Sequence, residues 1–171
     1  MCRCFLKHPL LIALPLYAID QITKSWAVMH FDFEGPWDQH PVISGFFYLV
    51  YWGNTGSAFS LFRDNNLGFT ILSLVTFFGL LIAWSRGMFR GELYRWGVGL
   101  LMSGILGNLT DRLMLKHVVD FLVFDLHVPG AHPWPAFNVA DSCICTAVGL
   151  FLIASFREAR TPAAQAAPAE K

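Results

Sequence analysis

From Ser142 to Phe156, "SCICTAVGLFLIASF", the chain carries no charged side chain. A helix crossing a bilayer needs about 20 mostly apolar residues, with a range of roughly 17–25. Extended back to Val139 and closed by Arg157, this run has that length. Three more segments share the pattern. They run from about Pro9 to Met29, from Gly68 to Trp84 and from Leu93 to Leu115. The first is interrupted by Asp20 and Lys24, and the third turns polar at its far end. Only 14% of the residues are charged, against roughly 25% in soluble domains. The expected fold class is therefore an all-α membrane protein with four transmembrane helices.

A fifth apolar stretch, Val42–Phe62, is not expected to be a helix. Its first half is aromatic and β-branched, and Gly53, Asn54, Gly56 and Ser57 break the second. It reads as a strand and turn at the membrane surface. "HVVDFLVFDL" (His117–Leu126) is too short to span and is strand-like too. The two are expected to pair in a small extracytoplasmic sheet.

Lysine and arginine placement sets the orientation. With four spans, Arg3, Lys7, Arg86, Arg90, Arg95, Arg157, Arg160 and Lys171 fall on one side. Only Lys24, Arg63, Arg112 and Lys116 fall on the other. Both termini are thus expected in the cytoplasm. The N-terminal stretch has a basic stub and an apolar core. It lacks a small-x-small cleavage site and is read as a retained span. Residues 1–160 form one expected domain, and the Ala/Pro-rich tail, 161–171, is expected to be disordered. Zero net charge gives no basic surface for nucleic acid. Cys2/Cys4 and Cys143/Cys145 lack CxxC spacing and nearby histidines, so no metal or other cofactor is expected.

On this topology every acid from Asp20 to Asp141 sorts to the non-cytoplasmic side, except Glu92. Loop acids such as Asp32 and Glu34 are ordinary solvated surface. Acids at span ends need a reason, because an ionisable group at the bilayer centre costs about 2.5–3.5 kcal/mol on insertion scales. Asp20 and Lys24, at i and i+4, can pair on one face. That pair either cheapens insertion or braces a site. In "GILGNLTDR", Gly104, Asn108 and Asp111/Arg112 share a face. Gly104 and Gly107 there read as sites of close helix approach. Asp111 and Arg112 can compensate each other, or Arg112 can reach a neighbouring carbonyl or carboxylate. Asp120, in "VVDFLVF", and Asp141, after "FNVA", both lie in apolar surroundings at one membrane face. Two carboxylates sharing a proton can activate water and protonate a carbonyl. A structural role for both acids is the alternative.

Five blocks in order now carry a resemblance: "DQITK" (Asp20–Lys24), "NTGSAFS" (Asn54–Ser60), "GNLTDR" (Gly107–Arg112), "VVDF" (Val118–Phe121) and "FNVADS" (Phe137–Ser142). Together they resemble lipoprotein signal peptidase, the type II signal peptidase family of bacteria. Ser57 stands where that family often has Ala. The resemblance implies an aspartic endopeptidase of the cytoplasmic (inner) membrane, with its active site at the extracytoplasmic face beneath a small β-sheet cradle. Its implied substrate is a prolipoprotein bearing diacylglycerol on a cysteine, cut just before that cysteine, with membrane lipid as the surroundings. Asp120 and Asp141 match the family's catalytic positions. Asn54, Gly56, Asn108, Arg112 and Asn138 match substrate-binding or site-supporting ones, and Asp20, Lys24 and Asp111 match supports. Asn54 is further expected to hydrogen-bond the substrate backbone. Two other classes compete: an ion-coupled carrier and a non-enzymatic membrane scaffold. A carrier would show midplane polar sites and repeated halves, and neither is visible here.

Overall fold

A computed structural model of the chain describes residues 7–33, 40–56, 64–127 and 134–160. The tail, Ser57 and the end of the Val42–Phe62 stretch lie outside the described residues. Four helices carry most of the chain: α1 (Lys7–His30), α2 (Asn66–Ser85), α3 (Glu92–Met114) and α4 (Val139–Arg160). Three strands make one antiparallel sheet in the order β1 (His40–Ile43), β2 (Phe47–Asn54), β3 (Val118–Phe124).

Helix boundaries follow local chemistry. The side chain of Asn65 accepts the Gly68 N–H and caps the start of α2. Both α2 and α4 are long and apolar enough to cross a membrane. Helices α1 and α3 have the length, but carry Asp20 and Lys24, and Glu92, Arg95, Asp111 and Arg112. Leu67, Ile71, Val75, Phe78 and Ile82 on α2 are left uncovered by protein, as are Val148, Leu152 and Phe156 on α4. Apolar surface of that extent suits lipid rather than water.

Helix α3 is central, with α1, α2 and α4 all packed on it. Its contact with α4 is close because two glycines permit it. A methyl group added at Gly104 would lie 2.5 Å from the Ala140 carbonyl oxygen, and one at Gly107 would collide with the Asp20 carboxylate. The close-approach reading of these two residues therefore holds. At the other end of the bundle, Ala13, Leu80, Trp84, Val98 and Met102 form the apolar core.

The expected pairing of the two strand-like stretches is present as β2 against β3. The Val42–Phe62 stretch also turns back at Gly45, so its start belongs to a hairpin with β1. Between Leu49 and Trp52 the register of β2 on β3 shifts. Trp52 then stands opposite Asp120, and Asn54 opposite Val118. On the far edge of β3, Phe137 exchanges backbone hydrogen bonds with Leu122, at 2.9 and 3.0 Å. That contact delivers the start of α4 alongside the middle of β3.

Candidate active site

The strand β3 and the first turn of α4 bring Asp120 and Asp141 to one place, with Asn138 between them. Asn138 caps α4. Its Oδ1 accepts the Asp141 N–H at 2.9 Å, and Asp141 Oδ2 accepts the Asn138 N–H at 3.2 Å. This reciprocal capping box explains the three-residue spacing. Asn138 Nδ2 also donates to Asp120 Oδ1 at 2.8 Å and to the Val119 carbonyl at 3.2 Å. One residue thus touches both acids.

Among the described residues, each of the four carboxylate oxygens accepts one hydrogen bond. Asn54 Nδ2 donates to Asp120 Oδ2 at 2.9 Å, and Asn108 Nδ2 donates to Asp141 Oδ1 at 2.7 Å. All the donors are neutral amides. They orient the acids while leaving each oxygen a further lone pair. Asp120 is buried and Asp141 half-buried. Burial pushes Asp120 up to about 8; the Asp141 carboxylate adds to the rise, and Asn54, Asn138 and the Lys24 charge oppose it.

Asn54 is expected from sequence to meet a substrate backbone. Here its Nδ2 goes to Asp120, and its Oδ1 accepts the Gly56 N–H at 2.9 Å. The reason is the sheet register, which sets Asn54 diagonally across from Asp120. Gly56 in turn offers its carbonyl to Arg112 Nη2 at 3.3 Å. Arg112 also lies over the Phe69 ring, 5.3 Å from its centroid, and its buried Nε has no hydrogen-bond partner among the described residues. Of the two readings of "DR", the self-compensating pair is not what forms. Neighbouring helical residues diverge, so Arg112 reaches the Gly56 carbonyl while Asp111 turns to α1.

Lys24 Nζ forms ion pairs with Asp111 Oδ2 at 2.8 Å and Asp20 Oδ2 at 2.9 Å, and donates to Asn108 Oδ1 at 3.0 Å. All four side chains are buried. Removing one member of a buried charge group commonly costs about 3–5 kcal/mol, because the remaining charge is left unpaired. By contrast the loop acids Asp32 and Asp64 are exposed. Gln21 and Asn66 were not singled out from sequence. Gln21 Nε2 donates to Asp20 and Asp111, both at 3.2 Å. Asn66 Nδ2 donates to the Arg112 carbonyl at 3.2 Å. An amide inside an apolar span is the signal that could have found Gln21.

Two solved structures described as bacterial membrane enzymes share this fold. One covers 95% of this chain and 93% of its own length, with a TM-score of 0.79 at 24% identity. The other covers 88% and 93%, with a TM-score of 0.75 at 26% identity. The family described as signal peptidase (SPase) II matches residues 12–157. A lipoprotein signal peptidase of Syntrophotalea carbinolica is 39% identical over 87% of this chain and 91% of its own length. That of Oleidesulfovibrio alaskensis is 40% identical over 84% and 89%. The chain belongs to the signal peptidase II family.

Proposed function

We propose that this chain removes signal peptides from prolipoproteins, and that Asp120 and Asp141 perform the hydrolysis. Family membership supports the peptidase activity. The observation that carries the chemistry is two acids from different elements, each held by neutral amides and both touched by Asn138. Such a pair shares one proton at neutral pH. The ionised member takes a proton from water as the water oxygen attacks the scissile carbonyl carbon. The protonated member gives its proton to the carbonyl oxygen. The tetrahedral intermediate then collapses: the C–N bond breaks, the leaving nitrogen takes a proton from one acid, and a hydroxyl of the intermediate returns its proton to the other, which restores the shared proton.

The substrate in this reading is a precursor whose cysteine carries diacylglycerol, cut on the amino side of that cysteine. Asn54, Gly56, Asn108, Arg112 and Asn138 shape the site, and Asp20, Lys24 and Asp111 support it from below. Residues 1–160 act as one peptidase unit. All four helices span the cytoplasmic membrane, both termini lie in the cytoplasm, and the dyad sits at the outer face. The carrier and scaffold readings have no comparable support.

Purified protein in detergent, given a lipidated precursor, should release a product that begins with the modified cysteine. Its rate should fall as pH rises past about 8, because ionisation of Asp120 removes the shared proton. A rate that keeps rising to pH 10 (on the order of two pH units above that value) contradicts a proton-sharing pair. Topology is tested separately. In a cysteine-free background, a single cysteine at Gly91 should label only from the cytoplasm, and one at Gln39 only from outside. Labelling of both from one side breaks the four-span reading.

A further inference from the structure

Two supporting acids end in the same way on different elements. Asp111 Oδ2 accepts the Val119 N–H at 3.1 Å, and Asp20 Oδ1 accepts the Ala140 N–H at 2.8 Å. Val119 is the residue before Asp120, and Ala140 is the residue before Asp141. Both acids converge on one cation, Lys24 Nζ, at 2.8 and 2.9 Å. A third arm runs from Lys24 through Asn108 Oδ1, at 3.0 Å, to Asp141 Oδ1, which accepts from Asn108 Nδ2 at 2.7 Å. Gln21 Nε2 bridges Asp20 and Asp111 directly and also reaches the Gly107 carbonyl at 3.3 Å.

A hydrogen bond to the N–H of the residue before each acid holds the backbone one Cα away from that acid, where a side-chain contact would constrain only a rotamer. One lysine on α1 therefore fixes β3 and α4 at the two points that matter for the dyad. We propose that Lys24, with Gln21 closing the two acids together, is a clamp that sets the separation and relative orientation of Asp120 and Asp141. Lys24 is then a positioning residue, and this inference rests on the dyad reading above. The competing explanation is charge compensation, in which Lys24 only neutralises acids that must sit in the membrane. A cavity of about 290 Å³ borders the clamp, lined by Gln21, Lys24, Asp111 and Val119 among others. Room on that side lets the acids relax when Lys24 is removed.

The two explanations separate in a charge-balanced variant. Lys24→Met alone leaves two buried acids unpaired and can fail to fold. Lys24→Met combined with Asp20→Asn and Asp111→Asn removes the imbalance and keeps an acceptor for each backbone N–H. The clamp predicts that the triple variant is folded, has kcat lowered by about 100-fold and has KM within about twofold of the parent, as expected for misplaced reacting groups. Gln21→Leu, which changes no charge, should lower kcat in the same direction with KM unchanged.

Hydrogen exchange at the Val119 and Ala140 amides gives a readout that needs no turnover. Both should exchange at least about 10-fold faster in the triple variant, because both arms lose their common anchor. Parental kcat in the triple variant overturns the clamp in favour of charge compensation. Parental exchange at both amides overturns it as well. A normal kcat in Gln21→Leu removes Gln21 from it. If the parent itself fails to cut lipidated precursor, the proposed function falls, and the exchange rates still decide whether Lys24 holds the two segments.

Discussion

Asp120→Asn and Asp141→Asn should each lower cleavage of a lipidated precursor by about 1,000-fold or more, with the protein still folded in detergent. General acid–base groups typically contribute about 10²–10⁴ each, and here each acid must both accept and donate during one turnover. Asparagine keeps the shape of the side chain. At position 120 it presents an NH₂ group to one of two amide donors, from Asn54 or Asn138, so a modest drop in thermal stability should accompany the loss. The measurement is kcat on one lipidated precursor, beside a thermal unfolding curve for each variant. Turnover within about tenfold of the parent by either variant would remove that residue from the chemistry. The scaffold reading makes the opposite forecast, since it allows disturbed folding and no selective loss of cleavage.

The precursor's lipid should matter nearly as much. An unmodified peptide should be cut with kcat/KM lower by about 100-fold or more than its diacylglyceryl form in the same detergent. Each buried CH₂ of an acyl chain contributes about 0.8 kcal/mol to membrane association. Two chains fix the depth of the cysteine, and that energy becomes orientation at the scissile bond. The bare apolar faces of α2 and α4 are suited to contact with acyl chains. Equal efficiency for both forms would show that the lipid is not read.

Much of the frame was visible in the sequence because charge punctuates it. The apolar run expected at Gly68–Trp84 is the centre of α2, Asn66–Ser85, with Asn65 and Arg86 at its ends. The strand character of "VVDFLVF" was equally plain and is β3. The hairpin with β1 was not visible, because four residues, "HPVI", carry too little pattern to be told from a loop. The gathering of polar residues at one end was legible, since a charge inside an apolar span needs a partner. Who partners whom was not. The choice between Asp111–Arg112 and Asp111–Lys24 depends on where α1 lies against α3, which no local rule contains. Likewise the role of Asn54 depends on a register shift in β2, between Leu49 and Trp52. The "NVAD" spacing did hold a local signal, an N-cap residue followed three positions later by an acid.

The bond from Asp20 to the Ala140 amide joins residues 120 apart in sequence. It has a consequence for the timing of activity during synthesis. A chain is made from its N-terminus, so α4 is the last of the four helices to be synthesised. Until then Asp141 is absent, Asn138 has not reached Asp120, and Asp20 has no backbone to hold. On the proposed two-acid reading, a chain that stops before α4 lacks Asp141 and cannot cleave, however long translation pauses. Under that proposal, cleavage becomes possible only once the last helix has joined the other three.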